Sequence, residues 1–208
     1  MDVERKTITL KLLNKQIDQA LKAISKPYGY KYNVSGGSIY KKSGVYFITA
    51  FPFTVRNNGY KINVRASIKL YEYDNLFWNI FDMSDNANQP ESLRAIGAFV
   101  APSVEIYRND YSINDGSEAE QLCERIMLEL DAKSLEFIDM IERNHGGLDK
   151  YILTEIEDNA LLKMLAYSQL GEYQNAKRLA ERELSQGRGG RFRNKDLDFN
   201  EYILKYIQ

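Results

Sequence analysis

The chain has 208 residues and a net charge of −1, with 44% hydrophobic and 27% charged residues, which is typical of a globular protein with a substantial core. Its one cysteine, Cys123, excludes an intrachain disulfide and a cysteine-based metal cluster, and no apolar run approaches the ~20 residues of a membrane span. The first ten residues lack a basic segment followed by an apolar one, so we expect no secretory signal and a cytoplasmic location.

A helix is predicted over residues 8–25, because apolar side chains recur there at three- and four-residue steps. Pro27 ends this helix. Short strands are expected at about residues 30–34 and 38–42, with Ser35-Gly36-Gly37 between them.

Residues 45–73 predict a long β-hairpin, because two alternating runs flank Asn57-Asn58-Gly59. A two-residue turn at Asn58-Gly59 pairs alternate residues and predicts one covered, largely apolar face. This predicted face comprises Phe47, Thr49, Phe51, Phe53 and Val55 with Ile62, Val64, Ala66, Ile68 and Leu70. Lys61, Arg65 and Lys69 are then expected to face solvent, together with Tyr46 opposite Tyr71.

Residues 74–83 predict a short helix with Asp74 as its N-cap and Trp78 in the core. At least one further strand is expected within residues 93–113. Ser117 and Glu120 form a capping-box pattern that predicts a long helix reaching about residue 144, where His145-Gly146-Gly147 ends it.

Further helices are expected near residues 149–156, 159–170, 173–185 and 197–207. The segment GRGGRFR at 187–193 is interpreted as a flexible, solvated link before the last helix. The fold class is therefore α+β: an N-terminal helix packed on an antiparallel sheet with a long hairpin, followed by an all-helical C-terminal half. The predicted domains are an α+β domain at 1–115 and a helical region at 116–208, docked on it.

The helical pair at 159–185 resembles one tetratricopeptide-type repeat, through Leu170-Gly171-x-Tyr173-x-x-Ala176. Small side chains at Ala166 and Ala176 would let the two helices approach closely. An ordinary αα-hairpin accounts for the same pattern.

Two interpretations of the charge distribution stay open. Residues 1–115 carry a net charge of +4 and residues 116–208 a net charge of −5. Tyr46, Lys61, Arg65, Lys69 and Tyr71 form the candidate binding surface, where aromatic rings and cations on a sheet could hold nucleic acid. Lysines at alternate strand positions also protect a sheet against edge aggregation.

No motif for a catalytic triad, a phosphate-binding loop or a zinc site occurs in the chain. Cys123 and His145 would lie roughly 33 Å apart on one helix, so they cannot act as a pair. The acidic residues of that helix are expected to form a solvated face. We therefore expect no catalytic, cofactor-binding or metal-binding residues, although carboxylate chemistry stays open.

Three segments, KPYGYK at 26–31, SIYK at 38–41 and YKINV at 60–64, resemble a bacterial domain-of-unknown-function family, the domain of unknown function 4304. The resemblance covers about the first third of the chain. It implies a small α+β protein without established catalysis, of a kind that includes immunity-like or accessory proteins.

The leading hypothesis is a non-enzymatic protein that binds another protein through its sheet face or its C-terminal helical hairpin. The alternatives are a nucleic-acid-binding protein that uses the candidate surface, and an enzyme with carboxylate chemistry.

Overall fold

The computed structural model of the protein describes residues 9–56 and 59–207. Five antiparallel strands form one sheet in the order β1-β2-β3-β4-β5. These strands are β1 (Lys31–Asn33), β2 (Ser38–Ser43), β3 (Tyr46–Arg56), β4 (Tyr60–Leu70) and β5 (Val104–Ile113). The helices are α1 (Leu10–Ile24), α2 (Tyr71–Ile80), α3 (Ser92–Ile96), α4 (Ala119–His145), α5 (Leu148–Glu155), α6 (Ala160–Gln169), α7 (Tyr173–Ser185) and α8 (Phe199–Tyr206). The predicted α+β class, with its N-terminal helix and the all-helical region from α4 to α7, is confirmed.

Contacts group the residues into two compact units, and each unit draws on three segments of the chain. The first unit comprises the described part of Met1–Lys41 with Ile48–Ser67 and Glu105–Leu135. The second comprises Lys42–Phe47, Ile68–Val104 and Glu136–Gln208, of which residue 208 lies outside the described part. Because β2, β3, β4, β5 and α4 contribute residues to both units, neither unit is a continuous stretch of sequence. The division predicted at residue 115 stays a prediction.

Helix α1 buries the apolar stripe that its spacing predicted. Thr9 caps its N-terminus by accepting a hydrogen bond from the backbone N–H of Leu12. Leu13, Ile17 and Leu21 are at most 3% exposed. In the same unit, the Cys123 thiol of α4 lies 4.0 Å from the Ile17 carbonyl, and burial raises the pKa of Cys123 to about 12. Cys123 is thus a buried, protonated thiol in the core.

The predicted covered face of the long hairpin is confirmed for β4. In β3, Phe47 and Thr49 are buried as predicted, but the later part of the strand departs from the prediction. Ile62 and Val64 are fully buried, as expected. In β3, however, Ile48 and Ala50 are fully buried, whereas Phe53 is 41% exposed. The guanidinium of Arg65, on the solvent face of β4, lies 5.7 Å from the Phe53 ring. Phe53 therefore shares the face of Arg65 and lies outside the covered set.

The burial pattern shows the offset. Ile48 and Ala50 are covered together with Ile62 and Val64, so even-numbered positions of both strands lie on the covered face. The predicted pairing placed odd-numbered positions of β3 there, and because side chains alternate with a period of two, an offset of one residue exchanges the faces. The predicted turn itself includes Asn57 and Asn58, which lie outside the described residues.

Two predicted helix caps are also wrong. Helix α2 begins at Tyr71, so Asp74 lies inside its first turn with its side chain buried. Ser117 lies in a 3₁₀ turn, Gly116–Glu118, where Asp115 accepts hydrogen bonds from its backbone N–H and its hydroxyl. Helix α4 begins after this turn, at Ala119.

The αα-hairpin at 159–185 is present as helices α6 and α7. Gly171, at the bend, has a φ of 74°, in the left-handed region that glycine adopts without steric cost. Ala166 and Ala176 are fully buried. The likeness to a tetratricopeptide-type repeat stays a prediction.

Specific contacts hold two residues of the glycine- and arginine-rich segment at 187–193, most of which is exposed, and its interpretation as a flexible, solvated link stays a prediction. Arg188 donates two hydrogen bonds to the carboxylate of Glu183, at 2.7 and 2.9 Å. The Phe192 ring packs against Phe77 with ring centroids 5.1 Å apart. A two-residue ladder, β6 (Arg193–Asn194) with β7 (Leu197–Asp198), follows and leads into α8.

Phenylalanine rings form the centre of the second unit. Phe77 stacks on Phe199 with ring centroids 5.0 Å apart and planes 8° from parallel. Phe81 and Trp78 are also almost fully buried, which confirms Trp78 as a core residue. Throughout residues 9–56 and 59–207, no helix has the combined length and apolar character that crossing a bilayer requires.

Candidate binding cleft

The second unit contains a cleft of about 320 Å³, which we call the acidic cleft. Its charged residues are Lys42, Glu72, Glu142 and Asp149. Its walls are completed by Gly44, Val45, Tyr46, Leu70, Tyr71, Gly146, Gly147, Leu148 and Gln169. Three carboxylates thus share the cleft with one lysine.

A tight turn and a strand-to-helix junction form one wall. Gly44 links β2 to β3 with a φ of 59°, which glycine tolerates. The backbone N–H of Tyr71, at the start of α2, donates to the Val45 carbonyl at 2.8 Å. This bond holds the β2–β3 turn against the end of β4 and so fixes Tyr46 and Tyr71 on the wall.

Two glycines position the carboxylates of the opposite wall. Gly146 and Gly147, between α4 and α5, have φ values of 70° and 115°, and the Gly147 N–H donates to the Ile141 carbonyl at 3.2 Å. The chain therefore turns from α4 into α5 within two residues. Glu142 lies in the last turn of α4, and Asp149 lies in the first turn of α5.

Tyrosine hydroxyls donate to both of these carboxylates. Tyr46 is 5% exposed and its hydroxyl donates to Glu142. The hydroxyl of the buried Tyr73 donates to Asp149 at 2.5 Å. Burial, together with the neighbouring carboxylates, raises the pKa of both tyrosines, so they are protonated donors at neutral pH.

Asp149 has a perturbed pKa. Burial raises it above its ordinary range, and the hydrogen bond from Tyr73 opposes this shift. Within the part of the chain that the structure describes, neither Glu142 nor Asp149 forms an ion pair with a lysine or arginine side chain. Among the described lining residues, three carboxylates therefore outnumber the one lysine, Lys42, and the cleft carries an excess of negative charge.

An aromatic ring lies beside these carboxylates. The Lys42 ammonium lies 3.9 Å from the centroid of the Tyr71 ring, a distance typical of a cation–π contact. The Arg94 guanidinium contacts the same ring at 3.9 Å. Lys42 itself is exposed, so its ammonium can leave the ring without losing a buried contact.

A buried charged network supports Tyr71. Lys69 donates to Asp74 at 2.8 Å and to the Arg94 carbonyl at 2.9 Å. Arg94 donates to the Tyr71 carbonyl at 3.2 Å and to Asn75 at 2.6 Å. These bonds fix the start of α2, and with it the ring that forms part of the cleft.

The structure separates the five residues of the predicted binding surface. Tyr46 and Tyr71 line the acidic cleft, whereas Lys69 is 3% exposed and paired with Asp74. Lys61 and Arg65 belong to the first unit, where Lys61 is half-buried and Arg65 exposed. The expectation that Lys69 and Tyr46 face solvent is wrong, because α2, α3 and the end of α4 supply contacts that strand alternation does not reveal.

The carboxylates of the cleft are residues that the sequence did not single out. Glu142 was expected on a solvated helix face, and Asp149 was assigned no role. The one sequence signal near them is Gly146-Gly147, which marks the turn that places Glu142 and Asp149 on one wall.

Among residues 9–56 and 59–207, no three histidine, cysteine, aspartate or glutamate side chains converge in a way that could hold a metal ion. The chemistry that the cleft offers is instead attraction of a cation by carboxylates and by an aromatic face.

Comparison of the chain with protein-family models, with curated proteins and with solved structures finds no match.

Proposed function

We propose that this protein binds another protein, and that the acidic cleft receives a lysine or arginine side chain of that partner. The observation that carries the proposal is the pair Glu142 and Asp149, whose described polar partners are tyrosine hydroxyls and not cations. Asp149 is half-buried, and a partly buried carboxylate without a cation attracts one strongly, since the low local dielectric enhances the interaction. Glu142 is exposed and adds a second negative charge to the cleft.

The shape of the cleft supports a long cationic side chain. Val45 is 61% exposed at the rim, and Tyr71 and Leu148 supply apolar and aromatic surface further in. The aliphatic stem of a lysine or arginine can pack on such surface while its charged end reaches the carboxylates. The resident Lys42, over Tyr71, occupies the kind of position that an incoming cation would take.

Affinity purification from the native host tests the proposal. The wild-type chain is compared with Glu142→Gln/Asp149→Asn, which removes two negative charges from the cleft. We expect wild type to retain a stoichiometric partner and the cleft variant to lose it. Retention of the same partner by both proteins would contradict the proposal.

Two further variants control for charge and for location. Glu157→Gln/Asp158→Asn removes the same charge from exposed positions between α5 and α6. Glu172→Gln/Glu181→Gln removes it from the helical hairpin, which is the other predicted binding surface. Both should retain the partner; loss in the hairpin variant alone would move the binding surface to α6 and α7.

A lysine-rich synthetic peptide gives a direct measure. Titration of the labelled protein, followed by NMR, should shift the amide signals around Tyr46, Glu142 and Asp149. The shifts should weaken as salt is added, because the attraction is electrostatic. A glutamate-rich peptide of the same length should leave these signals unchanged.

Carboxylate-based catalysis is a second candidate function, favoured by one observation. Asp149 has a raised pKa in a cleft, which is the property that a general acid needs. A turnover assay on glycosidic and ester substrates should then show activity that Asp149→Asn abolishes. Absence of turnover in the wild-type protein would leave binding as the function of the cleft.

Nucleic-acid binding keeps fewer supporting residues than predicted. Lys69 and Tyr46 are buried, and of the two predicted surface residues in the first unit, Arg65 contacts an aromatic ring, that of Phe53. A gel shift at low salt with wild type and with Lys61→Glu/Arg65→Glu tests this alternative. No shift by the wild-type protein would remove it.

A further inference from the structure

A second, more apolar depression lies in the first unit. It has a volume of about 660 Å³ and runs between the C-terminal end of α1 and the first half of α4. We call it the α1–α4 groove. It is lined by Ala23, Ile24, Pro27, Tyr28, Gln121, Glu124, Arg125 and Leu128.

Leu128 is both exposed and part of the groove. It lines the groove, yet 62% of its side chain is exposed. It therefore projects beside an apolar depression whose other side is formed by Ile24 and Pro27. A leucine that protrudes next to an apolar depression can fit a second copy of the same surface related by a two-fold rotation. Each leucine then enters the depression of the other copy.

Oppositely charged side chains lie on the α1 side and the α4 side of the groove. Lys26 is exposed beside Pro27, and Glu124 is exposed on the α4 side. Among the described residues neither side chain forms an ion pair, whereas Arg125 is held by Glu129 at 2.8 Å. A two-fold rotation would bring the α1 side of one copy against the α4 side of the other, and so each lysine against a glutamate.

We propose that the occupant of the α1–α4 groove is a second copy of this chain. Leu128 of each copy enters the groove of the other, and Lys26 of each copy pairs with Glu124 of the other. The contact is isologous, so it closes at a dimer and leaves no free groove. Burial of two leucine side chains against apolar walls contributes favourably to the free energy of association. The two ion pairs fix the orientation of the two copies.

The oligomeric state in solution tests this inference. Light scattering coupled to size-exclusion chromatography, from low to high micromolar protein, should give twice the mass of one chain for the wild type. Leu128→Asp should raise the dimer dissociation constant by at least about tenfold and leave the melting temperature of the monomer unchanged, since Leu128 contributes little to the fold. A wild type that stays monomeric at every concentration would overturn the inference.

Leu135→Asp is the matched control. Leu135 is 52% exposed on the same helix and does not line the groove, so this substitution should leave the mass at that of the dimer. If both aspartate variants dissociate equally, the contact is a general apolar stripe of α4, and the groove is not the site.

A charge exchange tests the orientation. Lys26→Glu should dissociate the dimer by placing two glutamates in contact, and Lys26→Glu/Glu124→Lys should restore it, because the pair is regenerated with reversed sign. Failure of the double variant to restore the dimer, with both variants folded by circular dichroism, would overturn the proposed pairing.

Discussion

Lys69 donates to Asp74 at 2.8 Å, and both side chains are almost completely buried. Arg94, also buried, lies 3.6 Å from the other oxygen of the same carboxylate. Two cations therefore depend on one anion in the core of the second unit. Asp74 also accepts the Ala101 N–H at 2.9 Å, so the carboxylate ties the segment after α3 to α2.

Asp74→Asn should be severely destabilising. It leaves Lys69 and Arg94 buried without an anion, and removing one partner of a buried ion pair typically costs about 3–5 kcal/mol. Burial already lowers the pKa of Lys69, and the charge of Asp74 opposes that shift. Urea unfolding at neutral pH measures the loss of the free energy of unfolding.

Lys195 and Asp82 provide the control for this prediction. They form an ion pair of the same length, 2.8 Å, but both side chains are about two-thirds exposed. Lys195→Ala should produce no measurable change, because water screens an exposed pair. Equal losses in the two variants would show that burial does not govern the strength of these pairs.

Lys69 is a residue whose burial the sequence pattern could not predict. Alternation in β4 correctly predicted that Ile62 and Val64 are buried, because that pattern is local. It also predicted an exposed Lys69, since nothing near residue 69 reveals that Arg94 and Ala101 supply acceptors for its ammonium. Side chains brought together from distant segments decide this position.

Local sequence patterns predicted the helix bounds but did not predict the acidic cleft. The bounds of α5, α6 and α7 were predicted within a few residues, because periodicity and glycine caps act over one or two turns. The acidic cleft joins the β2–β3 turn, the start of α2 and the α4–α5 turn, which are separated by up to about a hundred residues in sequence. No local pattern relates Tyr46 to Glu142, so sequence periodicity could not find the cleft.

Trp78 should be protected from collisional quenching in the native state. It is the one tryptophan in the chain and is 1% exposed, and its indole N–H donates to the Phe99 carbonyl at 2.6 Å. Acrylamide should quench its fluorescence weakly in buffer and strongly in urea. Native quenching as efficient as that of a free tryptophan would contradict the burial of this side chain.

The segment at 187–193 should resist trypsin although it contains three arginines. Arg188 is held by two hydrogen bonds to Glu183, which is 7% exposed. Glu183→Gln weakens these charge-assisted bonds and should speed cleavage in the segment several-fold. The Glu181→Gln variant, substituted at an exposed position of the same helix, should be cleaved by trypsin at the wild-type rate. Equally fast cleavage of all three proteins would show that the Arg188 contact does not order the segment.

Glu129 should contribute to stability in a pH-dependent way. The hydroxyls of Tyr111 and Tyr107 donate to one of its oxygens at 2.6 and 2.9 Å, and Arg125 donates to the other at 2.8 Å. These donors lower the pKa of Glu129 from 4.5 to about 2. The unfolded chain therefore binds a proton more readily than the folded chain between these two values, and the stabilisation is complete above the higher one.

As the pH falls through this window, the contribution of Glu129 is lost. Glu129→Gln should lower the urea midpoint at neutral pH and should flatten its decline from about pH 5 to about pH 2. Glu120→Gln, which removes an exposed carboxylate without a described hydrogen bond from the same helix, should keep the wild-type slope. A Glu129→Gln protein whose midpoint declines as steeply as that of the wild type would mean that the two tyrosines and Arg125 do not favour the ionised carboxylate.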